Sequence, residues 1–235
     1  MAHIARNSPR SIKITPNINP YADGSVLVEF GNTKVHVTAI IESDLPPWLK
    51  GKGKGWVTGE YSMLPGATHS RNKRERNGPS GRSQEIQRLI GRSLRAAVDL
   101  KLLGEVSILV DCDVLVADGG TRTASISGAM VALELAIRKG MQSGKIKQNP
   151  IIHKIAALSV GINKQGEVIA DLNYEEDSSC ETDMNIVMTQ SGHFVEVQGT
   201  AEGNPFSQDA FTAMVKCATD ALAQVFLEQD RVLRQ

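Results

Sequence analysis

The chain has 235 residues, of which 41% are apolar and 22% charged, enough to bury a sizeable core and unlike a disordered composition. Basic and acidic residues balance at 26 each, so net charge predicts no polyanion partner, and three widely spaced cysteines exclude a disulfide framework. No apolar run of about 20 residues is evident, and Met1-Ala2-His3-Ile4-Ala5-Arg6 lacks the apolar stretch of a secretory signal; a cytoplasmic protein with no membrane partner is expected.

Residues 25–41 alternate apolar and polar, with a break at Gly31-Asn32, and predict a hairpin. The run Lys50-Gly51-Lys52-Gly53-Lys54-Gly55 lacks the Lys-Ser or Lys-Thr that would close a nucleotide loop. Residues 68–81 read as a long exposed loop. A helix follows, with Ser83-Gln84-Glu85 as cap and acidic first turn, and Ile86, Leu89, Ile90, Leu94, Ala97 and Val98 at helical spacing. The apolar even positions of 106–116 predict a buried strand. Gly119-Gly120-Thr121-Arg122-Thr123 opens a second helix, which Gly140 is expected to stop. An antiparallel meander over 155–198, with an acidic loop at 175–183, precedes a last amphipathic helix after Ser207. This order predicts a mixed α/β or α+β fold.

Charge is segregated along the chain. From Lys50 to Arg95 there are eleven basic and three acidic residues, and from Gln165 to Asn185 seven acidic and no basic ones. Either these are solvated faces, or one region meets phosphate and the other holds a cation. A strand ending in two glycines and feeding a helix points backbone N–H groups at one spot, where the helix dipole favours an anion. Gly120, Thr121 and Arg122 are therefore candidate anion ligands, the alternative being a tight turn with an exposed arginine. Arg82, at the mouth of the preceding helix, opposes its dipole by roughly 0.3–1 kcal/mol unless an anion bridges it to the helix amides. The acidic loop is either solvated or a site for a hard, oxygen-preferring cation such as Mg²⁺. The histidines and cysteines show no zinc spacing, and no Gly-x-Ser-x-Gly elbow is present. With 4% aromatics, Phe30, Tyr61 and Phe206 are the candidates for stacking on a nucleic-acid base.

Longer motifs bind these fragments together: Gly51-x-Gly-x-Gly-Trp56 with Glu60-Tyr61-Ser62-Met63-Leu64-Pro65; Gly81-Arg82-x-x-Glu85-Ile86-Gln87-Arg88; Asp111-Cys112-Asp113-Val114; Ala117-Asp118-Gly119-Gly120-Thr121-Arg122-Thr123; Asp171-Leu172-x-Tyr174-x-Glu176-Asp177-Ser178; Glu181-Thr182-Asp183-Met184-Asn185; and Glu196-Val197-Gln198-Gly199-Thr200. In this order, from about Gly24 into the last helix, the chain resembles the ribonuclease PH family. The resemblance implies an α+β fold of mixed sheets with packed helices and a left-handed βαβ crossover, against the usual hand. It implies one catalytic domain over 1–235, with a phosphate-binding half (1–150) and a half carrying the acidic metal loop and final helix (151–235). The implied activity is phosphorolytic 3′-to-5′ trimming of nucleotides after the CCA end of precursor tRNA, releasing nucleoside diphosphates, with roles in tRNA and rRNA processing. The implied partners are tRNA precursors and other structured RNA 3′ ends, within a hexameric ring built as a trimer of dimers.

Carried over by position, Arg82, Gly120, Thr121 and Arg122 would bind phosphate as co-substrate. Asp177 and Asp183 would be catalytic and hold Mg²⁺ or Mn²⁺, and Arg71 and Arg74 would bind RNA. Gly66 stands where the family has a third arginine, and Ala5-Arg6 where it has Gly-Arg. The rival reading is a non-catalytic RNA-binding ring subunit of an exosome-like assembly. A two-domain polynucleotide phosphorylase is not expected at this length.

Overall fold

The computed structural model describes residues 3–234; residues 1, 2 and 235 of the expected single unit lie outside the described residues. Ten strands form two five-stranded sheets. In the first sheet, β3 (Gly24–Phe30) and β4 (Thr33–Glu42) make the predicted hairpin, turning at Gly31 with φ +56°. Its edge is β2 (Ile12–Pro16), antiparallel to β3. On the other side β4 pairs with β6 (Ser107–Val116), and β6 pairs in parallel with β5 (Trp56–Met63). Parallel neighbours need a crossover, which α1 (Gly81–Ala96) supplies between β5 and β6.

The second sheet runs β1 (His3–Arg6), β8 (Glu167–Ala170), β7 (Ile155–Ile162), β9 (Thr182–Thr189), β10 (Phe194–Ala201). This is not the expected meander. After β8 the chain folds into a short helix, α4 (Tyr174–Ser179), and returns on the far side of β7, so β9 pairs with β7 instead of β8. The acidic loop is thus partly helical, held by a reciprocal capping box between Asn173 and Glu176. The strands β1 and β2 have too few residues and too weak an alternation to stand out in sequence.

Between the sheets lies α3 (Thr121–Gln142), in contact with β3, β4 and β7 and buried on nearly every side. A helix apolar all round belongs in an interior. Gly140 does not stop it: the glycine lies inside the helix, where a Cβ would press on the side-chain ends of Ile41 and Ile146, and the chain turns at Gly144 with φ +75°. The first helix also begins earlier than expected, with Ser80 as its cap, accepting from the Ser83 amide. The one-turn helix α2 (Leu100–Leu103) leads into β6. The final helix, α5 (Gln208–Leu233), begins after Ser207 as expected, and it is long and apolar enough to cross a bilayer by length and composition alone. Here it is a core helix: Met214, Leu222 and Val225 are buried, and it packs on β7, β8 and β2.

One buried ion pair ties the N-terminal segment to both halves. Asp171, fully buried just after β8, accepts from the backbone N–H of Arg10 and from its Nε and Nη2 at 2.8–2.9 Å. The same guanidinium donates to the carbonyls of Asp118 and Gly119. Removing one partner of such a pair leaves the other charge stranded. Arg10→Met should therefore lower unfolding free energy by about 3–5 kcal/mol. The double variant with Asp171→Asn should recover part of that loss, as read from urea midpoints. Asparagine suits the left-handed backbone at Asp171, φ +54°.

Candidate phosphate and cation site

Two helices begin at one cavity. Arg82 is the second residue of α1 and Arg122 the second residue of α3, and both line a cleft of about 850 Å³. Gly120 caps α3 in the left-handed conformation with no side-chain cap, φ +63°, and Gly119 precedes it at φ +74°. A Cβ at Gly119 would sit 2.3 Å from the Leu172 carbonyl oxygen. Glycine here gives the backbone its turn and lets the loop touch the chain leading into α4. The first-turn amides of α3, uncapped by any side chain, thus face a cavity with two guanidiniums on its wall.

Arg122 is half-buried and held from two sides. Its Nη1 donates to Gln198 Oε1 at 3.2 Å and to Glu85 Oε1 at 3.4 Å, so α1 and β10 fix its direction. Arg82 is exposed. Thr121 is buried at the cavity wall, its Oγ1 2.8 Å from the phenol oxygen of Tyr61.

Opposite stand Asp177 on α4 and Asp183 on β9, lining the same cavity. Asp183 is half-buried, in register with Gly161 on β7 and Thr200 on β10. Loss of hydration raises the Asp183 pKa above the ordinary carboxylate value, and the Asp177 charge raises it further, while Arg122 pulls it down. Asp177, more open to water, is also raised by desolvation and by Glu202, against the opposing pull of Arg82, Arg122 and Arg10. Two carboxylates that disfavour their own charge in each other's company make an oxygen donor pair that a divalent cation would relieve. Among the described residues no third His, Cys, Asp or Glu completes a cage. The pair therefore fits Mg²⁺, which takes one or two carboxylates and keeps waters or phosphate oxygens, better than a cation needing a full protein shell.

The structure brings six of the eight sequence-derived candidates together: Arg82, Gly120, Thr121, Arg122, Asp177 and Asp183. Arg71 is exposed on the loop between β5 and α1 and lines no part of this cavity, while Arg74 lines a neighbouring one beside Glu60, Asp111 and Asp113. In their place the loop contributes Asn72 and Lys73 to the cavity. Phe30 and Tyr61 are buried at 0% and 3% exposure, so neither can stack on a base. Tyr174, beside the acidic run, is 52% exposed and lines the cavity, its ring 6.1 Å from that of His69 and tilted 55° to it, which makes it the aromatic best placed to meet a base. Its sequence signal was a place in the motif Asp171-Leu172-x-Tyr174-x-Glu176, to which no stacking role was attached. Glu85, Gln198 and Asp171 stand within the sequence motifs but their supporting roles were not assigned, because they act through partners far away in the chain, and Arg10 lies in no motif.

Known proteins resemble the chain in both sequence and fold. Residues 8–138 match the model described as "3′ exoribonuclease family, domain 1", and residues 153–221 match its domain 2. Ribonuclease PH of Bdellovibrio bacteriovorus is 55% identical over 224 residues, covering 95% of this chain and 92% of that protein. The fold is shared with rice (Oryza sativa) Rrp46, at TM-score 0.79 and 17% identity over 97% of both chains. It is shared also with a chain of the Archaeoglobus fulgidus exosome with RNA bound to the active site, at TM-score 0.76 and 22% identity over 94% of this chain and 89% of that one. With both domain models matched in sequence and more than half of its residues identical to a ribonuclease PH, the chain belongs to the ribonuclease PH-type 3′ exoribonuclease family.

Proposed function

We propose that the protein is a phosphate-dependent tRNA nucleotidyltransferase, which shortens the 3′ end of precursor tRNA and releases nucleoside diphosphates. The observation that carries this reading is the convergence of two helix N-termini, Arg82, Arg122 and the Asp177–Asp183 pair on one cavity. In this reaction an oxygen of inorganic phosphate attacks the last phosphodiester phosphorus, and the bond to the 3′ oxygen of the preceding nucleotide breaks. The shortened RNA keeps a 3′ hydroxyl, and the departing nucleotide leaves as a 5′ diphosphate. Two anions must meet for this to occur, so catalysis is chiefly positioning and charge neutralisation.

Each part of the cavity has a role in that chemistry. Arg82, Arg122, Thr121 and the amides at Gly120 and beyond hold the attacking phosphate, lowering its repulsion from the RNA. Glu85 and Gln198 keep the Arg122 fork aimed before the substrate arrives, so little reorganisation is left for the reaction. Asp177 and Asp183 would hold Mg²⁺ (or Mn²⁺), which would supply positive charge to phosphoryl oxygens. Tyr174 at the rim offers a face to a terminal base. Arg71 and Arg74, outside the cavity, suit the body of a structured RNA. Residues 1–235 act as one catalytic unit, in the cytoplasm, as a hexameric ring of three dimers.

The deciding assay incubates the protein with a tRNA carrying a short 3′ extension, with and without phosphate. Nucleoside diphosphates released only with phosphate are expected. Monophosphates would mean hydrolysis and overturn the reading, and RNA bound without release would instead favour a non-catalytic ring subunit. Arg122→Ala should lower turnover by about 10² to 10³, and unchanged turnover at saturating phosphate would remove Arg122 from the chemical step.

Asp183→Asn should abolish metal-dependent activity and yet raise the melting temperature in chelator-treated buffer at pH 7. The sign follows from the raised pKa in the folded state, because the fold prefers the protonated carboxyl. The stability this lends is present at low pH and is lost as pH rises from the ordinary value of 3.8 through the folded one. The advantage of the asparagine variant should therefore shrink as melts are repeated toward pH 4. Equal melting temperatures at both pH values would mean that Asp183 carries no such penalty.

A further inference from the structure

Tyr61 has a place in the fold that packing alone does not explain. It lies on β5 with its ring inside the main core, 3% exposed, where phenylalanine would fill the same space. Its hydroxyl reaches the cavity wall and meets Thr121 Oγ1 at 2.8 Å, a bond buried at both ends. Burial raises the phenol pKa above 10, so the group is neutral at physiological pH and brings a proton that must find an acceptor. Among the described residues Thr121 is the partner given to that hydroxyl.

A threonine hydroxyl has one proton and two lone pairs. When Tyr61 donates into one lone pair, the Thr121 proton is left for a different acceptor. The Thr121 carbonyl is already taken by the Ser125 hydroxyl, and the Thr121 side chain borders the cavity at the first position of α3. A donor that itself accepts a hydrogen bond is also more polarised.

We propose that Tyr61 is a positioning residue for the anion site: its phenol donates to Thr121 Oγ1 and so directs the threonine proton at a bound phosphate oxygen. This rests on the phosphate reading of the cavity but not on the RNA chemistry. Without the phenol, the Thr121 hydroxyl is free to turn toward other acceptors, and the site loses one directed donor while its arginines and helix amides remain.

The test is calorimetric titration of the full chain with inorganic phosphate, alongside steady-state kinetics in which phosphate and RNA are varied separately. Tyr61→Phe should weaken phosphate binding by about 3- to 10-fold, the scale of one hydrogen bond. It should raise KM for phosphate correspondingly and leave KM for RNA unchanged. In a Thr121→Ser background, which keeps the hydroxyl, Tyr61→Phe should still weaken phosphate binding. In a Thr121→Val background Tyr61→Phe should add nothing. An unchanged phosphate affinity in Tyr61→Phe would overturn the proposal, as would an equal loss with or without the Thr121 hydroxyl. Wild-type protein that binds phosphate and releases no diphosphates, with these couplings intact, would retire the phosphorolytic reading and leave the role of Tyr61 standing. Wild-type protein that binds no phosphate would overturn both.

Discussion

The geometry of the site depends on the buried pair of Arg10 and Asp171. Asp171 ends the strand that leads into α4, the helix carrying Asp177, while the Arg10 guanidinium also grips the carbonyls of Asp118 and Gly119, directly before α3. One planar cation thus fixes the distance between the anion-favouring helix start and the carboxylate that faces it. The constraint is reinforced by the Tyr174 amide donating to Asp118 Oδ1, and by Gly119, packed where a methyl group would strike the Leu172 carbonyl. Arg6 adds a second clamp, donating to Glu176 and to the carbonyls of Ala170 and Asp171. Isolated ion pairs of this kind are weak evidence for net stability. Their value here is specificity of arrangement, since an uncompensated charge inside the protein makes alternative packings of the two halves costly.

The two sheets supply what that clamp needs. Because α3 is buried between them, its N-terminus cannot drift relative to either sheet, and α1, packed on both β5 and α3, starts at the same end. Each helix then offers its second residue, an arginine, to the cavity. An arginine in a first turn opposes the helix dipole when nothing is bound. Two such residues at adjoining helix starts are a local cost that an anion converts into a gain. Sites that break a local rule in this way are where function is expected to reside.

Much of this was legible in the sequence. The hairpin at Gly31-Asn32, the buried strand before Ala117 and the glycine-fed helix at Thr121 follow from alternation and turn chemistry, and the segregation of arginines from carboxylates foretold two opposed walls. Three things were not legible. The order of the second sheet depends on which side of β7 the chain returns, and short-range patterning does not encode that choice. Gly140 looks like a stop because glycine weakens helices, yet it lies inside one, where a Cβ would press on the side-chain ends of Ile41 and Ile146. The clamp itself joins residues separated by 161 positions, so although Asp171 opens a motif, nothing local pairs it with Arg10. Sequence reasoning assigned roles to groups that face the cavity and none to Glu85, Gln198 and Asp171, which hold them in place.

Under the proposed function, the arginines and carboxylates of one cavity would couple the binding of an anion to that of a cation. Arg82 and Arg122 both lower the pKa of Asp177, and Arg122 lowers that of Asp183, yet desolvation outweighs them and both carboxyls remain raised. An anion seated on the arginines screens those positive charges and removes their pull, which makes the bare carboxylates still less favourable. Positive charge on the carboxylates, whether a proton or a divalent cation, then becomes easier to hold. By reciprocity the same charge strengthens the anion's attachment. A single cavity lined by separated arginines and carboxylates is thus biased toward filling both halves at once, the arrangement that bringing phosphate against an RNA phosphodiester requires.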